Sequence, residues 1–239
     1  PVIGVRKAIF PVLDIKARIP QVQNKFLFGC DTKRILYHSK YQQEDVLVNS
    51  IYIQGLESLA NIADILEEKE IVEWAQKQAI LTRNNLIAKC WDDRMGLFWN
   101  LAGKKEEPIK VKTIISLMPL IVPGLPQEIV KKLIDHLTNP REFWAPYPVP
   151  SVAMDEPSFE EYSMVSGRRR IWRGPLSMNI NWFLVKALRR LGYDNLADEI
   201  AEKSRLLVAR HGFNEFFNPL NGMPAGANNF GWATLVVDM

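Results

Sequence analysis

Apolar positions recur along this chain with a helical period, and successive helices differ in how much of their circumference is apolar. Over residues 44–66 the apolar positions run almost all round: Val46, Leu47, Val48, Ile51, Ile53, Leu56, Leu59, Ile62 and Ile65. A helix of that kind is buried on most sides. Residues 69–91 follow at once with a different pattern. Ile71, Trp74, Ala75, Ala79 and Leu86 make one apolar face, while Glu73, Gln76, Lys77, Arg83 and Asn84 make a wet one. That predicts an amphipathic outer helix. The alternation returns near the C-terminus. Pro175 suits the first turn of a helix. Met178, Ile180, Trp182, Phe183, Leu184, Val185, Leu188 and Leu191 then leave little polar surface before Gly192 ends it. Asp194 suits the N-cap of the next helix, where Leu196, Ile200, Leu207 and Val208 form a single stripe. Asp198 and Glu199 lie in its first turn and Arg210 in its last, as the helix dipole favours. Residues 113–121 and 127–137 form a shorter pair of the same kind.

A buried helix followed by an exposed one, three times over, predicts two concentric layers: an all-α toroid with an inner ring covered by an outer ring. A solenoid is the competing architecture, but it would show a fixed-period repeat. The intervals between these hairpins differ. Residues 143–159 carry Trp144, Pro146, Tyr147, Pro148, Pro150 and Pro157. Prolines stiffen such a loop without regular structure, and long ordered loops on a rigid scaffold tend to carry function. The first forty residues, broken by Pro11 and Pro20, predict irregular structure with one short helix.

Composition narrows the function classes. The chain has 239 residues, 47% of them hydrophobic, enough for one large core or two small ones. Lys and Arg number 30 against 27 acidic residues, a net charge of +3. The basic residues are scattered apart from Arg168-Arg169-Arg170, so the clustered basic face of a nucleic-acid binder is not expected. No run reaches the length of a membrane span. No signal peptide is legible, which points to the cytoplasm. Cys30 and Cys90 have no metal spacing and no disulfide framework, and read as two buried free thiols. His38, His136 and His211 stand isolated. No metal or cofactor is expected.

Candidate chemistry concentrates between residues 168 and 232. Glu215 lies just past a helix end at Gly212, among Phe213, Phe216 and Phe217. It reads either as a surface glutamate or as a general base for water, since an aromatic wall raises carboxylate basicity by desolvation. Trp172-Arg173-Gly174-Pro175 offers a flat apolar surface, a planar guanidinium fork and a glycine for close backbone approach. Asn181 and Trp182 sit inside a very apolar helix. A buried Asn must find partners, either a neighbouring loop or a ligand hydroxyl. Asp45 and Asn49 lie one turn apart at a helix start, and Asp45 is either a helix-start charge or a ligand contact. Trp232 opens the last helix. Asp155-Glu156-Pro157 suits a turn. Stacking surfaces, forked donors and amides among aromatics suit a pocket for sugar rings and hydroxyls.

Together these motifs resemble the C-terminal half of glycoside hydrolase family 63 and its relatives, most of all the mannosylglycerate and glucosylglycerate hydrolases. The resemblance runs from Asp45 through Met239 and is strongest from Ser151-Val152 with Asp155-Glu156-Pro157-Ser158-Phe159 onward. A Tyr-Trp-Arg-Gly-Pro segment is matched by Ile171-Trp172-Arg173-Gly174-Pro175, and a following Asn-Trp by Asn181-Trp182. Gly-Phe-x-Glu-Tyr-Phe-Asp-Pro is matched from Gly212 to Pro219, with Phe216 for Tyr and Asn218 for Asp. Phe-Ser-Trp is matched by Phe230-Gly231-Trp232.

The resemblance implies an (α/α)6 toroid, here partial, with residues 1–239 as the C-terminal portion of one catalytic domain. It implies inverting hydrolysis of an α-linked sugar in a small glycoside, with Glu215 as general base. Trp172, Arg173, Asn181, Trp182, Asp45 and Trp232 are the implied substrate contacts. Inversion needs a second carboxyl group roughly 6.5–9.5 Å from the first. The family's acid belongs to an Asp-Asn-Ser-Pro segment that is absent here, and Asp14 does not match it. The acid is therefore expected upstream, and the open inner helices are expected to be covered by an N-terminal half or by self-association. The alternatives are a processing α-glucosidase or trehalase-like hydrolase, and a non-catalytic carbohydrate-binding or scaffold module. Glu215, Trp172, Arg173 and Trp232 are expected to share one cavity at one end of the toroid.

Overall fold

The computed structural model describes residues 22, 25–38, 42–161, 163–165, 168–170 and 173–239. Most of the early segment, including Asp14, therefore lies outside the described residues. A short helix is present there, α1, Thr32–His38, and Val22, Lys25 and Phe26 before it are helical as well. The next helix, α2 (Val46–Ile65), folds back on α3 (Lys69–Cys90) as a hairpin. A 3-10 helix, Ile114–Ile121, precedes α4 (Gln127–Leu137). The second long hairpin pairs α5 (Met178–Arg190) with α6 (Asp194–His211), and a second 3-10 helix, Gly231–Asp238, ends the chain.

The layers follow from what packs on what. Helix α2 packs on the first 3-10 helix, that helix on α5, and α5 on the second 3-10 helix, forming the inner series. Helices α3, α4 and α6 back it from outside. One contiguous core runs from Val46 to Met239 through Leu117, Leu133, Leu184 and Phe217. Arg190 of α5 clamps two inner elements together, its fork donating to Leu120 O and Ile121 O at 2.8 Å each. Those are terminal carbonyls of the 3-10 helix, left over by its own ladder.

Several local expectations change. Residues 114–121 are buried as expected, all but Ile115, but they wind as a 3-10 helix. Pro119 within them supplies no N–H and opposes an α-helical ladder. Helix α5 starts at Met178, three residues after Pro175, because Leu176 gives both its N–H and its C=O to Phe217. Asp194 is the first residue of α6 and Tyr193 holds the cap position, without a side-chain bond. Cys90 is buried and free, whereas Cys30 is free but exposed. Burial pushes the Cys90 thiol up to about 11.

Helix α2 is the main departure. Its buried face consists of Val46, Ser50, Ile53, Leu56, Ala60 and Ala63. Val48, Ile51, Tyr52, Leu59, Ile62 and Ile65 are exposed, so the helix is buried on one side rather than on most. The apolar circumference is as read; nothing among the described residues covers its second face. Sheet is confined to short pieces. Strands β1 (Gln43–Glu44), β4 (Asn100–Ala102) and β5 (Glu107–Ile109) form one antiparallel sheet in the order β1-β4-β5. Three hairpins complete the set: β2 (Trp91–Asp92) with β3 (Leu97–Phe98), β6 (Ser163–Val165) with β7 (Arg168–Arg170), and β8 (Asn214–Phe217) with β9 (Pro224–Asn228). The last of these carries Glu215.

Candidate active site around Glu215

Helix α6 ends at His211, and the chain leaves through Gly212 straight into β8. Glu215 therefore stands on a strand, not in a loop. It is half-buried between Asn214 and Phe216, both buried. Of the three phenylalanines beside it, Phe216 and Phe217 point into the protein and Phe213 is partly exposed. Strand β8 pairs with β9 as Asn214 with Asn228 and Phe216 with Ala225. One residue of β8, Glu215, thus faces two of β9, Gly226 and Ala227, across a bulge. The Ala227 N–H donates to Glu215 Oε2 at 3.0 Å.

The Arg173 turn is built onto the other side of β8. Leu176 and Phe217 exchange backbone hydrogen bonds at 2.9 and 3.0 Å. Asn218 at the end of β8 donates to Glu161 Oε2 at 3.2 Å. Glu160 N–H donates to Arg173 O at 2.6 Å, and its carboxylate lies 3.9 Å from the half-exposed Arg173 guanidinium. Gly174 is what permits this approach: a Cβ there would lie 2.5 Å from Glu160 O. A second tie runs from Gly174 N–H to Ser151 Oγ at 2.9 Å. Trp172 lies outside the described residues.

The loop behind Arg173 turns at Asp155-Glu156-Pro157 as expected, and the Asp155 and Glu156 carboxylates also belong to a set of charges that anchors it. Lys112 Nζ reaches Asp155 and also Glu142 Oε1, the latter at 3.0 Å. Glu156 accepts from the Lys112 N–H at 2.7 Å. His136 Nδ1 sits 2.5 Å from Glu142 Oε2, and its Nε2 2.9 Å from Met95 O. Burial alone pulls the Lys112 ammonium down, but the hydrogen bonds it donates to Asp155 and Glu142, with their charges, outweigh that and leave it raised. His136 is thus part of a structural network, isolated in sequence only.

The aromatic end of the site comes from the C-terminus. Phe230 N–H donates to Phe213 O at 2.9 Å, which brings the Phe230-Gly231-Trp232 turn against the start of β8. Trp232 is 57% exposed and packs edge-on against Phe230, with centroids 5.6 Å apart. Glu215, Arg173 and Trp232 thus come from three segments joined by direct backbone bonds.

The remaining candidates are engaged elsewhere. Asn181 is completely buried: its Nδ2 donates to Pro148 O and to Ser204 Oγ at 2.9 Å each, and its Oδ1 accepts from Val149 N–H at 3.2 Å. That is the neighbouring-loop alternative, and it corrects the reading of Asn181 as a ligand contact. Trp182 gives its indole N–H to Asp238 at 2.8 Å. Asp45 caps α2: Oδ1 accepts from Val48 N–H at 2.9 Å and Oδ2 from Asn100 at 3.3 Å. Its carboxylate is a helix-start charge. A cleft between the start of α2 and the end of α3, lined by Glu44, Asn49, Thr82, Asn85, Lys89 and Cys90, takes in Asn49 but neither Glu215 nor any of the implied substrate contacts. Among the described residues no group of three or more His, Cys, Asp or Glu side chains is placed to hold a metal.

Gly226 and Ala227 were missed from the sequence. The available signal was an isolated glycine in a short extended stretch, which marks a bulge.

A mannosylglycerate hydrolase of Thermus thermophilus is 30% identical over 208 residues, which is 85% of this chain and 46% of that protein. The crystal structure of a family 63 mannosylglycerate hydrolase from the same species, in complex with glucose, superposes with a TM-score of 0.78 at 28% identity, covering 90% of this chain and 52% of that one. Neutral trehalase from Saccharomyces cerevisiae shares the fold at a TM-score of 0.62 and 15% identity, over 83% of this chain and 37% of the trehalase. The architecture is thus the (α/α)6 toroid of these enzymes in part, and the chain spans about half the length of the curated relatives it matches. The model of the mannosylglycerate hydrolase MGH1-like glycoside hydrolase domain matches residues 17–233, and the chain belongs to that family.

Proposed function

We propose that the protein is an inverting glycoside hydrolase for an α-linked sugar in a small glycoside, of the mannosyl- or glucosylglycerate kind. Glu215 is the general base. The observation that carries this reading is the half-buried Glu215 carboxylate, standing in the Gly-Phe-x-Glu motif with one oxygen fixed by the Ala227 N–H. A carboxylate held in that way is oriented to take a proton from water. Arg173 supplies a fork for the glycerate carboxylate or a sugar hydroxyl. Its pairing with Glu160 at 3.9 Å is long and half-exposed, which leaves the guanidinium available. Trp232 supplies an exposed apolar surface for a ring.

The acid belongs to an upstream Asp-Asn-Ser-Pro segment. The whole protein also contributes the surface that covers the exposed apolar side of α2. A cytoplasmic site of action fits two unpaired thiols.

Glu215→Gln in the full-length protein tests the reading. It keeps the shape and removes the basicity. Turnover of mannosylglycerate is expected to fall roughly 10²–10⁴-fold with ligand affinity retained. Unchanged turnover removes Glu215 from the mechanism. Inversion is read separately by proton NMR of the first product anomer, which must be β. Hydrolysis by the 239-residue chain alone would move the acid into these residues, with Asp155 the first to be replaced.

A further inference from the structure

We propose that Gly226 and the Ala227 N–H form a positioning device for Glu215, fixing one carboxylate oxygen so that the other meets the water. The inference rests on Glu215 being the base. The bulge gives it its geometry. Between the pairs Asn214–Asn228 and Phe216–Ala225, β9 has one residue more than β8. That extra residue takes the Ala227 N–H out of the ladder and turns it to Glu215 Oε2 at 3.0 Å. Among the described residues Oε1 has no partner. Bulges of this kind re-aim side chains beside active sites.

Gly226 makes the approach possible for two separate reasons. Its φ of +81° lies where side chains are rarely tolerated. A Cβ built on it would also stand 2.5 Å from Phe216 Cε1, 2.6 Å from Glu215 Oε2 and 2.7 Å from Glu215 Cβ. Phe216 is 1% exposed and has no room to retreat, so Glu215 would have to move, Cβ and carboxylate together. Nothing in Gly226 touches a substrate. Its effect on the reaction passes through Glu215.

The test is a double-mutant comparison in the full-length protein. Gly226→Ala is expected to lower kcat about 10²-fold, the usual scale for a base displaced by an ångström. KM should stay within about threefold. In a Glu215→Gln background the same substitution should cost nothing further, because the group it positions is already gone. Ala227→Pro, which removes the N–H without adding a side chain at position 226, should reproduce the kcat loss. An unchanged kcat in Gly226→Ala overturns the proposal. So does a loss confined to KM, or a loss that multiplies with Glu215→Gln. If both hairpin variants fail to fold, judged by their unfolding curves, the hairpin is a fold determinant and the proposal also falls. Failure of the base assignment reads differently: Glu215→Gln would then be fully active by itself.

Discussion

At the scale of single residues, burial and partners decide which polar side chains remain free for a ligand. Asn181 has spent all its capacity inside the protein, on Pro148, Val149 and Ser204. Asn181→Leu leaves Pro148 O, Val149 N–H and Ser204 Oγ without those bonds. Buried polar groups so stranded cost about 1–3 kcal/mol apiece, with relaxation recovering part, so a loss of about 2–4 kcal/mol is expected in denaturant unfolding. Glycoside affinity of the folded fraction should be unchanged. A stable variant with weakened affinity would return Asn181 to the binding site. The sequence shows that an Asn in so apolar a helix must be partnered, but its partners lie 33, 32 and 23 residues away. No local pattern encodes those meetings. Glu215 was legible as a candidate for the opposite reason, because its neighbours in the chain form the motif. Its strand was not, because β9 reads Pro-Ala-Gly-Ala-Asn and has no apolar alternation to announce a partner.

At the scale of elements, short polar ties set where helices begin and how loops are held. Two N–H groups at the start of α2 are satisfied by side chains: Val48 by Asp45, and Val46 by Asn100 of β4 at 2.8 Å. Asp45→Ala removes the cap and one hold on Asn100. It should cost about 1 kcal/mol in thermal or denaturant unfolding, with no effect on kcat. A kcat loss at full stability would restore Asp45 to the chemistry. The hairpin after α3 gives a pH signature. Asp92 accepts from Lys110 at 2.9 Å, from Met95 N–H at 3.1 Å and from Trp99 Nε1 at 3.1 Å. Led by the Lys110 bond, these hold its carboxyl down at about 2, against an ordinary 3.8. A carboxyl depressed by folding stabilises the protein fully above its unfolded value and loses that contribution as pH falls through the folded one. The stability gap between the wild type and Asp92→Asn should therefore be full at pH 6 and close between pH 4 and 2. A gap independent of pH would mean that the charge contributes nothing. Asp45 was read as either a helix-start charge or a ligand contact, and the first holds; the Asp92 contacts were not legible, because they depend on a hairpin too short to show periodicity.

At the scale of the whole molecule, the two layers were legible because inner and outer helices differ in apolar circumference. What the pattern could not say is how much of that apolar surface the chain itself covers. Helix α2 carries Val48, Ile51, Tyr52, Leu59 and Ile62 on one side at spacings of three, four and seven residues, all exposed. Helix α3 adds Ile71, Trp74 and Leu81, three and seven residues apart. Scattered exposed apolar residues are ordinary, but a stripe along one helix, with further exposed apolar residues on the helix packed against it, marks a surface that meets another. In the proposed complete toroid, further inner helices lie against it. Substituting Leu59→Glu and Ile62→Glu should then have opposite consequences in two settings. In the full-length protein each carboxylate would be buried without a partner, and the pair should lower stability by several kcal/mol, about the penalty for unpaired buried charge. In the 239-residue chain by itself the same two changes place charge on an open apolar face. There they should leave the unfolding midpoint nearly unaltered and reduce self-association, read by light scattering across a concentration series. If the full-length protein tolerates both substitutions without loss, no part of it covers this face, and the stripe must instead meet a second molecule, whose dissociation on substitution the same scattering measurement would report.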